Sequence, residues 1–135
     1  GLKQSFEIRK MKLKCYCGSA LLFENCCEPY IKVIKTAKTA VDLMRSRYSA
    51  YATHHADYLV NTTHSSTRKH HSKASILDWS QSNQWVKLEV LNATINTVEF
   101  KAFYFDCDLQ MQMHHEYSTF KQENGKWFYV DGKFY

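Results

Sequence analysis

The spacing of apolar residues along this chain of 135 residues changes once, near Trp85. Before that point apolar positions recur at helical intervals, and after it they alternate. Ala40, Leu43, Met44, Tyr48 and Tyr51 fall on one stripe of a helix running from Ala40 to about His54. Thr39 stands where an N-cap belongs, with Asp42 three residues on in place of the Glu of a capping box. A second short helix, Ala56 to about Thr62, groups Tyr58, Leu59 and Thr62. The polar, His-rich stretch His64–Lys73 reads as a loop. Ile76, Leu77, Trp79 and Ser80 then predict one or two helical turns ending near Asn83.

Beyond Trp85 the period is two. Val86, Leu88 and Val90 alternate with Lys87 and Glu89, and Val98, Phe100, Ala102 and Tyr104 alternate with Glu99, Lys101 and Phe103. This is the pattern of antiparallel strands with one buried face. Asn92–Asn96 joins the pair, and Cys107-Asp108 turns the chain into a long strand, Gln110–Glu123. Asn124-Gly125, a strong hairpin signal, leads into Lys126–Asp131. Helices followed by four antiparallel strands predict an α+β fold, with the helices packed on one face of a strongly curved sheet.

The N-terminal part is patterned differently. Phe6 and Ile8 are spaced as in a short strand, within an arm (residues 1–13) that is either native or left over from cloning, since Met11 is an alternative start. Four of the five cysteines then lie within thirteen residues, Cys15, Cys17, Cys26 and Cys27. C-x-C and C-C pairs close rings too small for unstrained disulfides, and bridges between the two pairs need an oxidising compartment that nothing here signals. Four thiolates suit one tetrahedral metal, and zinc with four sulfurs is the common closed, structural form. Reduced or redox-active thiols are the alternative. Gly18 lets the chain turn directly after Cys17. Pro29 is expected to stop any turn begun at Cys26, and Tyr30–Lys38 reads as a connector.

Composition narrows the function classes. The net charge of +5 is modest and no Lys/Arg run is dense enough for a nucleic-acid patch, so no nucleic acid is expected. No apolar run approaches the ~20 residues of a membrane span. Gly1–Lys10 is too polar for a signal peptide, which makes a cytoplasmic location the expectation. With only four glycines there is no phosphate-cradling loop or dinucleotide fingerprint.

The segment CYCGSALLFENCCEPY resembles the SEC-C motif, the zinc module also found at the C-terminal end of the secretion ATPase SecA. The motif's C-x-C-G-S-G followed by C-C matches Cys15, Cys17, Gly18, Ser19, Cys26 and Cys27, with Ala20 where glycine is usual. In order, TAVDLMRSRYSAY, HADYLV, HSSTR, WVKLEVL, TVEFKAFY, HEYSTF and GKWFYVDG resemble segments of the bacterial YchJ-like family. The resemblance runs from about Lys14 to Gly132. It implies a SEC-C module over residues 14–30 and a cone-shaped domain similar to nuclear transport factor 2 over residues 31–135. It also implies a zinc cofactor and a protein partner, with a SecB-like chaperone or the ribosome as the analogues from SecA. A dimer is compatible with it.

Two functions follow as expectations. The first is a protein-interaction adaptor working through the zinc module, which a chelator should unfold while the cone domain stays folded. The second uses the cone's concave face, closed by the first helix, as the pocket of a ligand-binding protein or an isomerase- or dehydratase-like enzyme. Tyr48, Tyr51, Tyr58, Trp79, Phe100, Tyr104 and Glu116 would line it. Strand parity turns Glu116 inward and His115 outward. Glu116 would be the base, with Arg47, Tyr48 and Tyr51 beside it; the plainer role is a carboxylate paired to Arg47 or Arg45. The adjacent histidines (His54-His55, His70-His71) and His64 are expected to be solvated. Cys107 is a lone thiol at a hairpin tip, buried or inert by default.

Overall fold

In the computed structural model, residues 13–135 are described; the strand-like Phe6 and Ile8 lie outside them. A 3₁₀ turn, Phe23–Asn25, precedes four helices: α1 (Glu28–Ile31), α2 (Ala40–Ala52), α3 (Ala56–Asn61) and α4 (Lys73–Ser82). Four strands follow: β1 (Gln84–Ala93), β2 (Thr97–Phe105), β3 (Met111–Glu123) and β4 (Lys126–Phe134). They form one antiparallel sheet in the order β1-β2-β3-β4. The fold is α+β as the change of period requires. No helix among the described residues is long and apolar enough to cross a membrane.

Helix α2 organises the molecule. Thr39 caps it as expected, its hydroxyl accepting from the Asp42 amide at 3.1 Å. Its buried residues include not only Leu43, Met44 and Tyr48 but also Ser46, Arg47 and Ser49, so it is enclosed on several sides. One side meets the sheet. A second meets α3, where the Ser46 hydroxyl lies 2.6 Å from that of Tyr58. A third meets the cysteine segment, where Arg45 donates to the Cys17 carbonyl at 2.9 Å and Ser49 Oγ lies 3.6 Å from Cys15 Sγ. Small serines allow these close approaches. Cys15, Cys17, Phe23, Cys27 and Ile31 thereby join the same buried cluster as Leu43, Tyr48, Leu59, Val98 and Phe120.

Several local expectations are corrected. Pro29 does not end a turn; it sits in the first turn of α1, where no intrahelical N–H is needed. Helix α4 starts earlier than the apolar pattern implied, because its first turn, Lys73-Ala74-Ser75, is exposed. Ser72 caps it, accepting from the Ser75 amide at 3.1 Å. A 3₁₀ turn, Arg68–His70, interrupts the stretch read as a loop. In β1 an irregularity between Trp85 and Lys87 leaves Val86 exposed and turns Trp85 onto Tyr48 and Tyr51. Strand β4 runs three residues past Asp131. Gly132 pairs with Ser118 there, and a Cβ on it would come within 2.2 Å of a Glu116 carboxylate oxygen.

Candidate functional site

The cysteine segment folds back on itself. Lys14 and Leu22 form an antiparallel bridge, with the Cys15 amide donating to the Leu21 carbonyl at 2.8 Å. The reversal between them passes through the left-handed region twice, at Gly18 (φ +82°) and Ala20 (φ +70°). Glycine is at home there and alanine is strained. The hairpin supplies Cys15 and Cys17, and the turn before α1 supplies Cys26 and Cys27. All four Sγ atoms lie within 4.8 Å of one another.

Their spacing is that of a tetrahedral site. Metal–sulfur bonds of ~2.3 Å at tetrahedral angles set sulfurs about 3.8 Å apart, and Cys17–Cys26 and Cys26–Cys27 are 3.7 and 3.9 Å apart. The Ser19 hydroxyl lies 3.1 Å from Cys26 Sγ and can donate to a thiolate there. Hydrogen bonds from Cys15 and Cys27 hold the Cys17 thiol far below its ordinary value, whereas hydrogen bonding with Cys15 and Cys17, then burial, drives Cys27 far above it. Burial and the Cys17 charge push Cys26 up to about 11. Without a cation the cluster therefore favours a thiolate at Cys17 and resists one at Cys26 and at Cys27. A divalent metal would remove that opposition, and four sulfurs would fill a tetrahedral shell, leaving no position for a substrate. The donor set fits a closed, structural metal centre.

The second site is a cavity of about 220 Å³ between α2, α4 and the concave face of the sheet. Of the residues expected there, Arg47, Tyr48, Tyr51, Trp79, Phe100 and Glu116 line it, joined by Trp85, His71, His114 and Tyr129. Tyr58 and Tyr104 do not. Tyr58 reaches from α3 to Ser46 of α2, and Tyr104 meets Trp85 at a tilt and Trp79 edge-on, with ring centres 5.2 and 5.7 Å apart. His71, Trp85 and Tyr129 were not among the expected lining residues, because they arrive from a loop, a bulge and the far strand.

Glu116 points inward and is buried, but not as expected for a base. His114 Nε2 lies 2.8 Å from its Oε1, while Ser118 and the Tyr129 hydroxyl (2.9 Å) donate to Oε2. Burial pushes its carboxyl up, but the bonds from His114, Ser118 and Tyr129, with the His114 charge, outweigh burial and hold it below its ordinary value of 4.5. Burial and the Glu116 charge push the Tyr129 phenol well up, keeping it a donor. Neither Arg45 nor Arg47 forms an ion pair with Glu116. Arg47 Nη1 instead donates to the Leu59 carbonyl at 2.9 Å and to Thr62 Oγ1 at 2.7 Å, and its guanidinium lies 4.6 Å from the centre of the Tyr129 ring. A carboxylate already holding three donors and acidic by nature is a poor proton acceptor.

Among the other candidates, His64 is buried rather than solvated, held by Ser66 and by Glu123. His54 is bonded to Ser80 Oγ at 2.7 Å. Cys107 is exposed. Among the described residues, the four cysteines are the one group placed to hold a metal.

The chain is similar in sequence and fold to known proteins. Residues 39–132 match the family model described as "YchJ, middle NTF2-like domain". A UPF0225 protein of Photorhabdus laumondii is 40% identical over 125 residues, 87% of this chain and 79% of that protein. One from Geobacter sulfurreducens is 36% identical over 87% of this chain and 77% of its own. The solution structure of a SEC-C motif containing protein from Rhodopseudomonas palustris superimposes with a TM-score of 0.82 at 33% identity, covering 90% of this chain and 98% of that one. A crystal structure of a SEC-C motif containing protein from Psychrobacter arcticus gives 0.74 at 31% identity, over 87% and 80%.

Proposed function

Because the chain belongs to the UPF0225 family of SEC-C proteins with a YchJ-type domain, we propose that it is a zinc-dependent adaptor whose cysteine module docks an acidic protein segment. The observation that carries this reading is the surface beside the metal centre. Immediately after α1, Lys32, Val33, Ile34, Lys35 and Lys38 are all exposed, Val33 at 79% and Ile34 at 77%. Val33 closes α1 in the left-handed region (φ +59°), where a β-branched residue is strained and glycine would be at ease. In this turn two bare apolar side chains stand exposed among three lysines. That pattern suits a partner segment with acidic residues around an apolar anchor.

The loop is positioned from the metal side. The Tyr30 and Ile31 amides bond the Cys27 carbonyl, the Ile34 and Lys35 amides bond the Pro29 carbonyl, and Lys35 Nζ lies 5.4 Å from the centre of the Tyr30 ring. A metal fixing Cys26 and Cys27 would fix α1 and, through it, the loop. A closed coordination shell serves this role better than catalysis.

The test is site-specific crosslinking in living cells, with a photoreactive residue at position 34 or, as control, at exposed Ile95 on the far hairpin. The expected result is a discrete partner crosslinked from position 34 but not 95, lost in the Cys26→Ser, Cys27→Ser variant. Equal crosslinking from both positions, or crosslinking indifferent to the cysteines, would overturn the reading.

A further inference from the structure

The cavity under α2 offers chemistry that the adaptor reading does not use. Its walls are aromatic: Tyr51, Trp79 and Trp85 on one side, Phe100 and Tyr129 on the other. Into it comes Arg47, 7% exposed. Only Nη1 of its guanidinium finds acceptors among the described residues, the Leu59 carbonyl and the Thr62 and Thr63 hydroxyls. Nε and Nη2 donate to none of the described residues, and no described carboxylate lies within ion-pair distance; neither nitrogen is sealed, since no fully buried side-chain nitrogen or oxygen among the described residues lacks a partner. Two unspent donors on a guanidinium that lines an aromatic chamber are served by water or by a ligand that accepts from both. The one carboxylate in the chamber, Glu116, is taken at Oε1 by His114 and at Oε2 by Ser118 and Tyr129, so the open valence is the cation's.

We propose that this cavity binds a small aromatic carboxylate. Its two oxygens would accept from Nε and Nη2 of Arg47 in the paired geometry that guanidinium favours. Its ring would lie against Trp79 and Trp85, which meet at 4.9 Å between centroids and present ring surface to the space. At about 220 Å³ the cavity is below the ~300 Å³ where drug-sized sites begin, which limits the ligand to one ring and its acid group. No bond is made or broken. The site is separate from the cysteine module, so it stands whether or not the adaptor reading does.

Titration of the wild-type protein with benzoate and phenylacetate, followed by calorimetry and tryptophan fluorescence, tests the proposal without a variant. Saturable binding should occur at about millimolar concentration, and about tenfold or more tighter than benzamide or benzyl alcohol of the same shape. Benzylamine should not compete. Arg47→Lys, checked for an unchanged near-UV circular dichroism spectrum, should lose most of that preference. Should the lysine variant misfold, Trp79→Ala at the half-exposed wall should weaken carboxylate and neutral ligands alike and leave their ratio unchanged. Equal binding of benzoate and benzamide, tightest binding of benzylamine, or no saturation at about 10 mM would each overturn the proposal.

Discussion

Single residues carry much of the fold's tension. Ala20 and Val33 both occupy left-handed backbone, at φ +70° and +59°. Each such placement costs about 1–2 kcal/mol relative to glycine, less glycine's greater loss of freedom on folding. Ala20→Gly should therefore raise stability by about 1 kcal/mol, read as a higher urea midpoint at unchanged slope. Val33→Gly should be neutral to stabilising by a similar amount while weakening the crosslink from position 34; a destabilised Val33→Gly protein would mean that the loop's strain is misread. Glu116 has the opposite balance. Loss of its charge in Glu116→Gln should cost about 1–3 kcal/mol, since three donors would face a weaker acceptor. Its folded carboxyl is held below the ordinary 4.5, so its stabilisation is complete above that value and is lost as pH falls through the lower folded value. In thermal melts the gap between wild type and variant should be full at about pH 7 and should shrink as pH falls below 4.5. The inward turn of Glu116 was legible from strand parity, and the same parity places His114 and Ser118 beside it; that the tyrosine donor is Tyr129 of β4 was not, since sequence alone does not set that register.

At the scale of elements, the signals that transferred were the local ones with a periodic or capping basis: the Thr39 cap of α2, the alternation in β2, and the Asn124-Gly125 turn. Those that failed were overridden by neighbours. The alternation in β1 put Val86 inward, and the irregularity after Trp85 put it out. Helix α4 lacks an apolar first turn, so only Ser72 could have marked its start. Strand β4 looked finished at Asp131-Gly132, yet the strand continues because glycine leaves room for the Glu116 carboxylate. Gly132→Ala should therefore be among the costliest changes outside the core, since the intruding Cβ must displace a carboxylate fixed by three bonds. A loss of about 2 kcal/mol or more is expected, with much of it recovered in the double variant Glu116→Ser, Gly132→Ala. Equal losses in the two backgrounds would separate the glycine from the carboxylate.

At the scale of the whole molecule, the cysteine spacing announced a metal module but not its integration. Read alone, residues 14–30 are expected to unfold on chelation and leave the rest untouched. In the structure Cys15, Cys17 and Cys27 are buried in the same cluster as α2, and Arg45 reaches from α2 to the Cys17 carbonyl. Removing a structural metal should accordingly loosen both the module and the neighbouring turns of α2, while β2 and β3, paired on both edges within the sheet, keep their protection. Hydrogen exchange with and without a chelator distinguishes this from unfolding confined to the module. Everything proposed for the exposed Lys32–Lys38 loop rests in turn on the four sulfurs holding a metal. The most direct measurement of that is X-ray absorption at the zinc edge, with elemental analysis, on protein purified without tags or added metal. The account predicts about one zinc per chain with four sulfur neighbours at ~2.3 Å. Less than about a tenth of that metal with all thiols freely titratable, or a shell containing nitrogen or oxygen, would contradict it.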